Sequence, residues 1–215
     1  MGSFASNPLV FILSIISLIF SIILHEVAHG WVAERCGDPT ARMAGRVTLN
    51  PLPHIDLVGT ILLPLLLILT GSGFIIGWAK PVPVNFYRLR HPRRDTILVS
   101  VAGILANLSL ALVAGLLFRL FGLLPYSSFS LGLEQFLFYL VNINLVLAIF
   151  NLIPIPPLDG SKVLAALLPP RLEMAFFGPQ AAWIGTMLLF VLLYTGLLGR
   201  ILGPLVNGLL RLLLF

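Results

Sequence analysis

The chain has 215 residues, 59% of them hydrophobic and only 10% charged, with a net charge of +5 and a mean hydropathy of +1.06. Soluble domains carry about 25% charged residues, so this chain cannot coat a soluble surface and reads as an all-α polytopic membrane protein. Its basic residues sit in short loops between apolar runs, which suits membrane orientation and not nucleic-acid binding. The single cysteine, Cys36, excludes an internal disulfide framework and a cysteine-rich zinc knuckle.

Spanning helices need about 20 apolar residues each, and the apolar runs allow roughly four to six segments within the bilayer. Residues 8–33 form the first, interrupted by Ser14, Ser17, Ser21 and the cluster His25, Glu26 and His29. The N-terminus lacks the basic stretch and small-residue site of a removable signal peptide, so this helix is expected to be retained. Gly37, Asp38 and Pro39 then break the pattern, and residues 46–49 read as a short strand before Asn50-Pro-Leu-Pro-His54.

Residues 57–78 are apolar again, with Pro64 inside and Gly71-Ser-Gly73 near the end. Lys80-Pro-Val-Pro-Val-Asn85 and a basic loop carrying Arg88, Arg90, Arg93 and Arg94 follow. Long helices are expected over residues 97–121 and 136–150, joined by an uncharged link at 122–130. After the proline-rich run Asn151 to Gly160 comes a spanning candidate at 181–198. The tail at 201–215 is too short to count as a separate span, and no polar motif recurs that would mark an internal repeat.

The chemistry lies in His25-Glu26-Val-Ala-His29. Histidines four residues apart share one helix face, and in H-E-x-x-H they bind zinc while the glutamate acts on water. Ionisable residues in an apolar helix are costly unless paired or metal-bound. A catalytic zinc ion takes three protein ligands and keeps one open position, so another ligand is required. Asp159 is the best candidate, because it follows a membrane-length helix and a break at Pro154, Pro156 and Pro157 that can turn the backbone toward the metal. A buried hydrogen-bonding patch or a proton relay in a transporter is the competing reading of the histidines, and a plain Asp-Gly turn is that of Asp159.

Together these motifs resemble the site-2 protease family of intramembrane zinc metalloproteases, peptidase family M50. His25-Glu26-Val-Ala-His29 is similar to its zinc helix, and Asn151-Leu-Ile-Pro154-Ile-Pro-Pro-Leu158-Asp159-Gly160 to its N-x-x-P-x-x-x-L-D-G signature. Ala102-Gly103-Ile104-Leu-Ala-Asn107 resembles the family's G-P-x-x-N element, with Ile104 in place of the proline. The resemblance implies one catalytic Zn(2+) held by His25, His29 and Asp159, with Glu26 as the catalytic glutamate. It also implies that Asn151 assists near the reacting centre. Asn151 and Asn107 are candidates to bond the substrate backbone or the developing oxyanion, with a helix-packing or capping contact as the competing reading of Asn107. His54 is a secondary candidate, either for substrate positioning or as an interfacial loop histidine without a catalytic task.

The implied activity is hydrolysis of peptide bonds in or near transmembrane segments of membrane proteins, within the lipid bilayer. A small membrane-associated β element is expected beside the site, with residues 46–50 and 78–85 offering edges to an extended substrate peptide, although Pro81 and Pro83 make the second irregular. Residues 1–215 form a single membrane domain, with the metalloprotease core at about 8–168 and a C-terminal helix region at 181–215. No recognisable PDZ or CBS-like soluble domain fits in the remaining residues, so regulation by either would require a separate protein. The basic loop favours the cytoplasmic side of a prokaryotic cytoplasmic membrane. For His25 and Asp159 to reach one depth, the helices leading to them should run the same way, which makes residues 57–78 a re-entrant or broken segment.

Overall fold

The computed structural model describes residues 8–70, 77–123, 125, 127–169, 172–173, 176 and 178–215. Its helices are α1 (Pro8–Arg35), α2 (Thr40–Met43), α3 (Leu63–Leu69), α4 (Pro92–Phe121), α5 (Ser128–Asn151), α6 (Asp159–Leu167), α7 (Pro179–Tyr194) and α8 (Leu197–Leu214). A π-helical turn at Leu57–Leu62 leads directly into α3. Among the described residues, four stretches are long and apolar enough to cross a membrane: Ile12–Arg35, Pro92–Phe121, Phe129–Asn151 and Leu197–Leu214.

The bundle is built inside out. On α1, Ser17, Ser21, His25 and His29 recur every four residues and are all buried, while Ile12, Ile16 and Phe20 are exposed. A four-residue spacing keeps side chains on one helix face, so the polar stripe turns inward and the apolar faces meet lipid. α4 lies against this stripe, beginning with Pro92 at its first position and Asp95 accepting the His91 backbone N–H at 2.8 Å. Ser21 and His25 both bond to Asn107 and His29 bonds to Val99, so α1 and α4 are antiparallel. Ser21 also meets Asn144 of α5, and His29 meets Asp159 just beyond it. α1 and α5 therefore run the same way, as a common ligand depth requires.

An apolar core of Ala111, Ala114, Leu137, Val141, Leu145 and Val206 joins α4, α5 and α8. The C-terminal region departs from the expected single span at 181–198. Gly196, at φ +69, ends α7 and starts α8, and α8 is the segment of spanning length. Arg119 donates from Nη2 to the Leu212 carbonyl at 2.7 Å, tying the end of α4 to that of α8.

The expected β element is absent: no strand occurs among the described residues. Residues 78–85 lack regular secondary structure apart from the turn that follows, but their backbone donors do not meet a neighbouring strand. Trp78 N–H goes to Gly59 O, Lys80 N–H to His54 O, Val82 N–H to Glu26 Oε2 and Asn85 N–H to Asp38 Oδ2. Pro81 and Pro83 supply no donor at all. Residues 47–49 form bends, not a strand. Gly71-Ser-Gly73, expected as a bend, lies outside the described residues, and Pro64 sits at the start of α3.

The break between α5 and α6 returns tightly on itself. A Cβ at Gly160 would fall on the Leu152 carbonyl and close to that of Ile153, so only glycine lets α6 begin beside the end of α5. Gly199 on α8 has open space around it. Gly160→Ala should therefore destabilise the detergent-solubilised protein by about 1–3 kcal/mol, read as a lowered thermal midpoint, whereas Gly199→Ala should not lower it.

Candidate metal centre

His25 and His29 of α1 and Asp159 at the first position of α6 converge in the bundle interior, each less than a tenth exposed. Both rings are oriented through Nδ1. His25 Nδ1 lies 2.6 Å from Asn107 Oδ1, and His29 Nδ1 lies 2.6 Å from the Val99 carbonyl. A carbonyl oxygen can only accept, so both Nδ1 atoms carry the proton and both Nε2 atoms present lone pairs. These two nitrogens stand 2.9 Å apart, and Asp159 Oδ2 is 3.1 Å from that of His25 and 3.0 Å from that of His29.

Three lone-pair donors this close repel one another unless a cation lies between them. Zinc with bonds of about 2.0–2.1 Å in a tetrahedral site holds its donors about 3.3 Å apart, close to the observed spacing. The donor set thus fits one zinc ion, with two nitrogens and one oxygen and no sulfur. Cys36 lies outside the cluster, and burial, with the Asp95 charge nearby, pushes its thiol up from the ordinary value, so it stays protonated at neutral pH.

The surroundings are shaped for this cluster. A Cβ at Gly103 would stand 2.5 Å from His29 Nε2 and 2.6 Å from His25 Cε1, so α4 can approach the imidazoles only with glycine there. Asn107 is fully buried; besides accepting from His25 it donates from Nδ2 to Asn144 Oδ1 at 2.7 Å. Asn144 in turn donates to Ser21 Oγ at 2.7 Å, and Ser21 Oγ donates to the Ser17 carbonyl at 2.6 Å. This chain of hydrogen bonds fixes His25 from three helices.

Of the other expected residues, Glu26 faces the extended segment, its Oε2 accepting the Val82 N–H at 2.7 Å. Asn151 is half-buried and donates to the Leu147 carbonyl one turn back. His54 is buried outside the cluster, donating from Nε2 to the Thr48 carbonyl at 3.0 Å, and its Nδ1 has no partner. Asn144 and Ser21 did not stand out in sequence as parts of the site. The four-residue recurrence of Ser17, Ser21, His25 and His29 is the signal that points to Ser21; no comparable pattern marks Asn144.

Four membrane-length helices among the described residues, with a buried two-histidine, one-carboxylate site and a glutamate next to the first histidine, define a multi-pass membrane protein of the zinc metalloprotease class. The comparisons agree. The profile of peptidase family M50 matches residues 121–195. The chain is 41% identical to YwhC of Bacillus subtilis over 197 residues, covering 90% of this chain and 85% of that protein. It is 36% identical to Rip2 of Mycolicibacterium smegmatis, over 89% of this chain and 70% of that protein. With MJ0611 of Methanocaldococcus jannaschii it shares 35% identity over 73% and 71%. All three carry a provisional zinc-metalloprotease name. No solved structure matches at a significant level.

The chain belongs to peptidase family M50, the site-2 proteases. It is an intramembrane zinc metalloendopeptidase that acts on membrane-embedded substrates. Because partners of metal-ligating histidines typically contribute 10- to 100-fold in metal affinity, Asn107→Ala should weaken zinc binding by about that factor in chelator competition. Gly103→Ala should weaken it further, by driving a methyl group between the rings.

Proposed function

We propose that Glu26 is the acid–base residue of peptide hydrolysis and that the apolar part of a transmembrane substrate reaches it along a groove on α1. The observation that carries this reading is the stripe Ile15, Ile19, Ile22 and Glu26, whose spacings of four, three and four residues place all four on one helix face. The three isoleucines line an open cavity of about 260 Å³ together with His54, Ile55, Gly59 and Trp78. The groove is lined mainly by apolar groups, and the α1 face that lines it continues to Glu26.

Zinc, when bound by His25, His29 and Asp159, supplies a Lewis acid that makes water nucleophilic near neutral pH and polarises the scissile carbonyl. Glu26 takes the proton of the attacking water and returns it to the leaving amine nitrogen. The Val82 N–H holds Oε2, leaving Oε1 as the oxygen that moves the proton. Asn107 orients His25 through Nδ1. The half-buried amide of Asn151, at the end of α5, hydrogen-bonds the substrate carbonyl.

The site faces the cytoplasm, a reading supported by Arg88, Arg90, Arg93 and Arg94 in the loop before α4. The stretch that begins at Leu57 and ends at Trp78 is read as a re-entrant or broken segment with both ends on the cytoplasmic side. This is supported by the return of Trp78 to Gly59, N–H to carbonyl at 3.1 Å, and by the Thr60 hydroxyl donating to the Trp78 carbonyl at 2.8 Å.

Glu26→Gln should keep one zinc per chain while cleavage of a reconstituted transmembrane peptide falls by about 10²- to 10⁴-fold; normal turnover in that variant would refute the acid–base assignment. Ile19→Trp, which fills the groove, should raise KM for the same peptide at unchanged zinc content. An unchanged KM would place the substrate elsewhere.

A further inference from the structure

Asp159 divides its two oxygens between different partners. Oδ2 faces the Nε2 atoms of His25 and His29, whereas Oδ1 accepts a hydrogen bond from Lys162 Nζ at 2.8 Å. Lys162 stands three residues further along α6, on the same face of its first turns. The carboxylate is 4% exposed and the lysine side chain 32% exposed, so the amine reaches in from the open side toward a buried charge. An exposed pair of this spacing would contribute little. Here the ion pair stands at the one acid among the three grouped donors.

The division has a chemical consequence. A carboxylate can bind a metal through one oxygen or through both. With two imidazoles already bound, two carboxylate oxygens would complete four donors and close a tetrahedral ion, while a catalytic site keeps a position open. We propose that Lys162 is a positioning residue that holds Asp159 as a one-oxygen ligand and so keeps one coordination position free. The inference rests on the assignment of His25, His29 and Asp159 as the metal ligands, and it adds a residue that the H-E-x-x-H and L-D-G motifs do not contain.

The test uses the full-length protein loaded with cobalt(II) in place of zinc, whose visible spectrum reports coordination. It is titrated with imidazole, a neutral ligand whose attraction to the site does not depend directly on the lysine charge. Wild type and Lys162→Arg should each hold one cobalt per chain and bind imidazole alike. Lys162→Met should hold the metal but bind imidazole about tenfold or more weakly, in line with other residues that orient metal ligands. Wild-type affinity for imidazole in Lys162→Met would overturn the proposal. So would loss of imidazole binding in Lys162→Arg, or failure of Lys162→Met alone to retain cobalt, which would make the lysine a determinant of metal affinity instead. Wild-type protein that takes up no cobalt would refute the metal-ligand assignment itself.

Discussion

Two imidazoles and a carboxylate buried among apolar helices need every polar atom accounted for, and much of the bundle is arranged by that need. Each ring has one nitrogen to satisfy on the protein side and one to offer to the metal. α4 provides the first kind of partner twice, through the Val99 carbonyl and the Asn107 side chain, and it can do so only because Gly103 brings its backbone against the rings. The Nε2 atoms and Asp159 Oδ2 are then left facing one another at about 3 Å, a spacing that a divalent cation relieves. Burial strengthens this demand, because an unpaired polar group costs more the further it is from water.

The same need explains why α1 is polar on its inner face and apolar outside. In a soluble protein the four-residue recurrence of Ser17, Ser21, His25 and His29 would mark a solvent-facing stripe. In a bilayer it marks the interior, where the serines and Asn144 complete a hydrogen-bond chain reaching from the Ser17 carbonyl to the His25 ring. The break after α5 serves the other half of the site: Pro154, Pro156 and Pro157 stop the helix, and Gly160 lets α6 restart close enough for its first residue, Asp159, to face α1.

How much of this was legible depended on whether the determinant was local. His25, Glu26 and His29 declare themselves by helical spacing, and Asp159 by its place after a membrane-length helix and a proline break. The shared direction of α1 and α5 followed from requiring those ligands at one depth. Asn107 is visible as a polar interruption, but its bonds to His25 and Asn144 depend on the register of α4 against α1 and α5, which no local pattern carries. Asn144 and Lys162 belong to no local pattern of the chemistry and emerge only when helices distant in sequence are assembled. The β element implied by the resemblance does not form among the described residues, because extended composition at 78–85 does not specify what its backbone donors pair with. In the folded chain those backbone donors meet the side chains of Glu26 and Asp38 and the carbonyls of His54 and Gly59. The C-terminal span was displaced because an apolar run gives no register, and the left-handed Gly196 divides it.

With α4 shaping the space between them, α1 and α6 are arranged to hold a single ion through two imidazoles and one carboxylate. X-ray absorption at the zinc edge of the purified, membrane-reconstituted protein tests it most directly. One zinc per chain is expected, with nitrogen and oxygen scatterers at about 2.0–2.1 Å, outer-shell features of two imidazole rings and no sulfur contribution near 2.3 Å. A sulfur shell, a single imidazole, or zinc retained unchanged after Asp159→Ala would contradict it.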